Sequence, residues 1–177
     1  MAARKPVRRV VTGHDDAGRA IILLDDADAP NTFTSDAIPG FGATVAWYTP
    51  GAVVDHVTDE DPAPAGRKID FPLVGETVVR IADFPPDAVY PQNAGDAVFD
   101  DIGGHEEREA GSEHSSGKHF WFHRTESIDY AVVLEGEITL LVDEGEATLK
   151  AGDVAVQRAT AHAWSNRTDR IARVLFV

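Results

Sequence analysis

The chain has 177 residues, 43% of them hydrophobic, which suits one domain with one sizeable core. Its 30 acidic residues against 16 basic ones leave a formal net charge of -14, a field that repels phosphate backbones and argues against nucleic acid as a partner. With no cysteine there is neither a disulfide framework nor thiolate chemistry. No apolar h-region follows the basic start, Met1 to Val10, and no run approaches the roughly 20 apolar residues that cross a bilayer. The expectation is a soluble, cytoplasmic protein whose acidity is that of a well-solvated surface.

The elements read as β from the beginning. Arg8 to Thr12 and Ala20 to Leu24 form a hairpin, because Asp15-Asp16-Ala17-Gly18 between them has turn chemistry. Thr44 to Tyr48 is a strand, and Glu76 to Phe84 is another, stopped by Pro85-Pro86 because proline cannot donate to a ladder. Tyr130 to Leu134 and Glu137 to Val142 flank a tight turn at Glu135-Gly136. Glu146 to Lys150 follows Glu144-Gly145, and Asp153 to Gln157 and Ala172 to Val177 complete the set. Short strands with regular turn signals argue for a sandwich or a barrel.

Two segments break this rhythm. Thr58 to Arg67 has the composition of a loop. Gln92 to Lys118 is polar and rich in glycine, with a short helix around His105 to Ala110. A loop of that length is either a lid or a surface insertion. No internal repeat occurs, so a duplicated barrel is excluded.

The chemistry concentrates near Phe122-His123-Arg124-Thr125-Glu126-Ser127-Ile128-Asp129-Tyr130. With His123 to Thr125 as a strand end, His123 and Thr125 share one face. A hairpin turn through Glu126 to Ile128 then returns Asp129 beside His123. The strand pair that starts at Gly152-Asp153 ends at His162 and brings a second imidazole to the same place. Two imidazoles and a carboxylate suit non-haem Fe(II) as a facial triad, and less specifically Zn, Mn or Ni. The same residues also read as a hydrogen-bonded His-Asp pair without metal. Trp121 and Trp164 lie two residues from His123 and His162 and line the pocket or the core. His119 is a loop histidine or a substitute ligand, and His14, His56, His105 and His114 receive no role. Arg80, in Val78-Val79-Arg80-Ile81-Ala82, reads preferably as outward and solvated; if inward, it would hold a carboxylate.

The stretch Phe122 to Asn166 resembles the cupin superfamily. Its first motif is matched by Gly117, His123, Thr125 in place of a second His, Asp129 in place of Glu, and Gly136. Gly152, His162 and Asn166 match the ends of the second, whose middle, Gln157-Arg158-Ala159-Thr160, is one residue short and lacks the usual Pro and Gly. Phrases such as Leu-Glu-Gly-Glu at 134, Ala-Gly-Asp-Val at 151 and His-Ala-Trp at 162 are similar to those of a bacterial single-domain (monocupin) subfamily.

The resemblance implies an all-β double-stranded β-helix, or jelly-roll barrel, formed by 76–177, with N-terminal strands and loops in 1–75, all in one domain. It implies His123, Asp129 and His162 as ligands of one divalent ion (Fe, Zn, Mn or Ni). Thr125 and Asn166 would be supporting groups around them. Two functions follow as expectations. One is a metal-dependent enzyme of dioxygenase, isomerase or decarboxylase type on a small carbonyl, enol or aromatic compound. The other is a non-catalytic small-molecule binder with a vestigial metal site. A homodimer is expected in either case, since open N-terminal β edges invite a second copy.

Overall fold

Strands alternate with tight turns over most of the chain, as the turn chemistry dictates. The computed structural model describes residues 4–177 apart from 52, 56, 93, 103, 105 and 109–117, with Asp101 described by its backbone alone. Gly117, His56, His105, His114 and, of the segment 92–118 read as a lid or a surface insertion, residues 93, 103, 105 and 109–117 lie outside the described residues. The elements are β1 (Arg9–His14), β2 (Ala20–Asp26), β3 (Thr32–Thr34), β4 (Gly42–Thr49), β5 (Thr77–Phe84) and α1 (Ala94–Ile102). They continue with β6 (Ile128–Glu135), β7 (Glu137–Val142), β8 (Glu146–Lys150), β9 (Val154–Arg158), β10 (His162–Ser165) and β11 (Ala172–Phe176). Among the described residues no helix is long and apolar enough to cross a membrane.

The hairpin β1-β2 stands as a two-stranded ribbon. Asp15 makes its turn, accepting through Oδ1 from the N–H groups of Ala17 and Arg19, and Gly18 takes a φ of 73° that glycine adopts without strain. The remaining strands form two sheets, a large one in the order β3-β4-β5-β11-β6-β9 and a small one in the order β10-β7-β8. All pairings are antiparallel. The chain passes from large to small sheet at Glu135-Gly136. Gly136 has a φ of 77°, and a Cβ there would meet the Ile171 carbonyl oxygen at 3.0 Å. Only glycine fits the crossing without displacement.

One core fills the space between the sheets. It includes Val45, Ala131, Val133 and Val174 of the large sheet and Ile138, Leu141, Ala163 and Trp164 of the small one. The expected N-terminal strand at 44–48 therefore belongs to the barrel wall, since β4 pairs with β5 along its length. The stretch 58–67 is a loop, and it is anchored. Arg9 is bonded to Asp61 and Asp26, and Ala63 is fully buried.

The segment read as irregular contains α1. Glycine and three aspartates give it a loop's composition, yet Ala94, Val98, Phe99 and Ile102 form one apolar stripe at helical spacing and are buried. Glu106 to Arg108 are also helical, within the short helix expected at 105–110.

Asn166 closes the turn after β10. Its amide donates to the carbonyls of Phe84 and Arg170 (2.8 Å each), and its Oδ1 accepts from the Thr168 N–H and hydroxyl. Across β5 and β11, Arg173 grips Asp83 with two bonds of 2.6 and 2.7 Å and also donates to the Lys5 carbonyl. Both side chains are about nine-tenths buried. Such a pair is costly to break, because the surviving charge stays buried without its counterpart. Asp83→Ala should therefore lower unfolding free energy by about 3–5 kcal/mol, whereas Asp83→Leu with Arg173→Met recovers most of it. Urea unfolding monitored by circular dichroism measures both, and a loss below about 1 kcal/mol for Asp83→Ala would refute the assignment.

Candidate functional site

Two backbone hydrogen bonds create the site. The His123 N–H donates to the His162 carbonyl and the His162 N–H to the His123 carbonyl, each at 3.0 Å. Directly opposed residues of an antiparallel pair send their side chains to the same face. The two imidazoles consequently lie with ring centroids 4.3 Å apart, at the β10 edge of the small sheet.

Each ring is oriented by the same local device. His123 Nδ1 is 2.7 Å from the Trp121 carbonyl oxygen and His162 Nδ1 is 2.9 Å from that of Thr160, in both cases two residues earlier. A carbonyl only accepts, so Nδ1 carries the proton and Nε2 keeps its lone pair. His123 retains some surface on the cavity side but is packed between the rings of Phe71 (5.4 Å) and Phe99 (6.1 Å). Burial, with the neighbouring His162 adding to it, pushes its pKa down to about 3. Burial also lowers that of His162. Both imidazoles are neutral at pH 7, the state that ligates metal or accepts a proton.

The sequence suggested a hairpin returning Asp129 beside His123. Instead, β6 pairs with β9 and β11 in the large sheet, while His123 is bridged to β10 of the small one. Asp129 faces the same cavity from the large-sheet side. The Ser127 hydroxyl lies 2.8 Å from both Asp129 Oδ1 and Thr125 Oγ1, and its single proton serves one of them at a time. The Asp129 carboxylate acts on His162 through its field, favouring the protonated ring.

A cavity of about 240 Å³ separates these groups. Phe41, Phe71, Phe84, Trp121, Trp164 and Phe176 give it aromatic walls. Thr125 also opens on it. Asn166 is absent from its lining and is committed to the turn. His119 is directed elsewhere, with Nε2 3.4 Å from Asp87 Oδ2.

Two lining residues, Ser127 and Gln157, escaped the sequence reading, and for a third, Arg80, the less favoured inward alternative holds. Arg80, Ser127 and Gln157 all open on the cavity. Arg80 is inward, against the preferred outward reading, in line with Val78, Ala82 and Phe84. Gln157 is paired in register with Asp129 and is 4% exposed. The signal that hid it is an inverted strand pattern, for Val154 and Val156 are outward and more than half exposed.

The donor chemistry suits a divalent ion in part. Two neutral imidazoles with free Nε2 atoms are good ligands for borderline metals. Among the described residues, however, no three His, Asp or Glu side chains are grouped closely enough to hold one ion.

Antiparallel sheets enclosing an imidazole-bearing cavity define a small-molecule β-barrel of the cupin kind. The cupin domain family matches residues 105–177. Phomopsin biosynthesis cluster proteins C' and D of Diaporthe leptostromiformis are each 33% identical over 181 residues, covering 96% of this chain and 76% of theirs. The cupin-domain-containing oxidoreductase virC of Hypocrea virens is 53% identical over 176 residues, covering 93% of this chain and 69% of its own. Among solved structures, a cupin family protein with a double-stranded β-helix fold from Methanocaldococcus jannaschii matches with a TM-score of 0.36 and 12% identity, covering 56% of this chain and 65% of that one. The chain belongs to the cupin family. These curated relatives are fungal and lend no support to the bacterial subfamily suggested by the short phrases.

The buried imidazoles set a pH dependence. His123 stays neutral in the folded chain down to about 3, while its ordinary value is 6.5. Between those values the unfolded chain binds the additional proton, so stability is full above about 6.5 and falls as pH drops towards 3. Metal-free protein should lose urea midpoint between pH 6.5 and 5, a range where ordinary carboxylates scarcely titrate. His123→Asn should flatten that slope, leaving the part due to His162. An unchanged slope in the variant would show that this ring is not buried neutral.

Proposed function

We propose that the chain is a small-molecule cupin enzyme of oxidoreductase type, acting on a compact carbonyl, enol or aromatic compound in the barrel cavity. The carrying observation is the imidazole pair, neutral and fixed in tautomer by backbone carbonyls, on the wall of an aromatic cavity. The similarity to virC of Hypocrea virens, a cupin-domain-containing oxidoreductase, supports the reaction type. In this reading His123 and His162 would be the protein ligands of one divalent ion (Fe, Zn, Mn or Ni). Asp129 would become its third donor only on closer approach of the facing sheets, since here the three are not grouped closely enough to share an ion. Such an ion would supply Lewis acidity at a carbonyl or enolate oxygen. Thr125 and Ser127 hold the Asp129 carboxylate in place, and the aromatic walls keep bulk water from the bound compound.

A second reading is a binder without metal, and the position of Asp129 on the facing sheet favours it. Elemental analysis of protein purified without an affinity tag separates the two. The enzyme reading expects about one transition metal per chain, with His123→Ala and His162→Ala each lowering retention by about tenfold or more. Thr125→His adds a third imidazole on the same cavity and should tighten metal binding in competition with a chelator. Stoichiometric absence of metal after growth in metal-supplemented medium would overturn the enzyme reading in favour of the binder.

We also propose a homodimer. Ile128, Tyr130, Val154 and Val156 expose apolar surface on the outer side of β6 and the edge strand β9, an arrangement that a second copy would cover. Light scattering should give the mass of two chains at micromolar concentration, and a monomer there would refute it.

A further inference from the structure

We propose that the barrel cavity selects a small aromatic or apolar carboxylate, whose acid group is held by the Arg80 guanidinium with the Gln157 amide as a second donor. The proposal deepens the small-molecule reading above by naming the substrate class, and it does not depend on a bound metal.

Arg80 lies on β5 and opens on the cavity. Its guanidinium carbon is 6.0 Å from the ring centroids of both Phe71 and Phe176. Among the described residues it makes no ion pair and no hydrogen bond. Every other arginine there that is not freely exposed (Arg4, Arg9, Arg67, Arg108 and Arg173) is bonded to a carboxylate. The folded chain thus neutralises its enclosed guanidinium groups as a rule and leaves one in the cavity with its donors unspent. Aromatic rings offer a cation partial relief, but they accept none of the fork's N–H bonds. A planar carboxylate accepts two of them side by side.

Gln157 is an independent observation pointing the same way. The residue is 4% exposed and lines the same cavity, yet neither Oε1 nor Nε2 has a hydrogen-bond partner among the described residues. A buried amide with both ends unsatisfied is rare in a native interior and marks a place for a polar group from outside. Its NH2 serves a carboxylate, and its oxygen is left to accept from a hydroxyl or N–H of the same molecule.

Charge sets the orientation. Asp129 and Asp70 are the carboxylates whose fields reach Arg80, together with the Tyr48 phenol, and none of the three is bonded to it. Asp129 instead takes the Ser127 hydroxyl. An incoming acid is repelled by Asp129 and attracted by Arg80, so the two divide the large-sheet wall into a repelling and a receiving part. The body of the ligand then lies among Phe71, Trp121, Trp164 and Phe176 and towards the imidazole pair of the facing sheet. The cavity of about 240 Å³ lies below the roughly 300–1,000 Å³ of drug-sized sites, which limits the ligand to the scale of one ring with a short acid arm. A net charge of -14 disfavours anions at long range, so any preference for an acid reports a local cation.

The test uses metal-free full-length protein in excess chelator, so that no acid binds through a metal. Benzoate, phenylacetate and cinnamate are each compared with the corresponding primary amide by calorimetry. The expected result is that at least one acid binds, on the order of 10- to 100-fold more tightly than its amide. Arg80→Met should abolish that preference, and Arg80→Lys should keep part of it, supplying charge without the fork. Gln157→Leu should weaken the acid by a smaller factor. Circular dichroism and the urea midpoint establish that each variant is folded, and Arg80→Lys carries the test if Arg80→Met is not. The proposal is overturned if the amides bind as well as the acids, if the preference survives at Arg80→Met, or if no acid binds up to about 10 mM. Failure of metal loading in the preceding experiment leaves this result untouched, and failure here leaves metal loading untouched.

Discussion

The reciprocal backbone pairing of His123 with His162 is the interaction on which the site rests. It fastens the segment leaving Trp121 and Phe122 to the edge of the small sheet, and it leaves the two side chains no choice of face. Once the rings are enclosed by Phe71, Phe99 and each other, charging either becomes costly. The carbonyls two residues upstream then select the tautomer. Position, protonation and exposed nitrogen thus all follow from one bridge and its local strand geometry.

The facing sheet has a different character. It sets Arg80, Asp129 and Gln157 along the cavity, with apolar residues of the same strands turned partly to the outside. A barrel built from two sheets can in this way place unlike chemistry on opposite sides. The imidazoles share a backbone bridge, whereas their separation from Asp129 is governed by how the sheets pack. Substitutions in the layer between them, at Ile138 or Val174 for example, would tune that separation without touching a polar group.

Much of this was legible in the sequence. Turn residues marked the hairpin turn at 15–18 and the turn at Glu135-Gly136. Of the residues singled out in sequence, His123, His162, Trp121 and Trp164 (the tryptophans read as pocket or core) all line the cavity. What failed did so for identifiable reasons. Arg80 sits in a run with apolar residues at both parities, so alternation assigns it no face. In β9 the alternation is inverted, with valines outside and Gln157 inside. The helix at 94–102 carries the composition of a loop, and its four-residue apolar stripe is too short to stand out. The partner of Asp129 depends on which sheet its strand joins, a long-range pairing that no local spacing encodes.

The amide of Gln157 and the guanidinium of Arg80, both without a hydrogen-bond partner among the described residues, also bear on how this chain could change over generations. An apolar residue at either position would fill the same volume and relieve a desolvation cost, so the most stable version of this barrel is not the one that carries these side chains. Selection for heat resistance alone would erode the polar part of the large-sheet wall before it touched the imidazoles, whose N–H groups are already satisfied. The two walls thus differ in durability: one is protected by the fold's own hydrogen bonds, and the other persists only while something outside the chain rewards it.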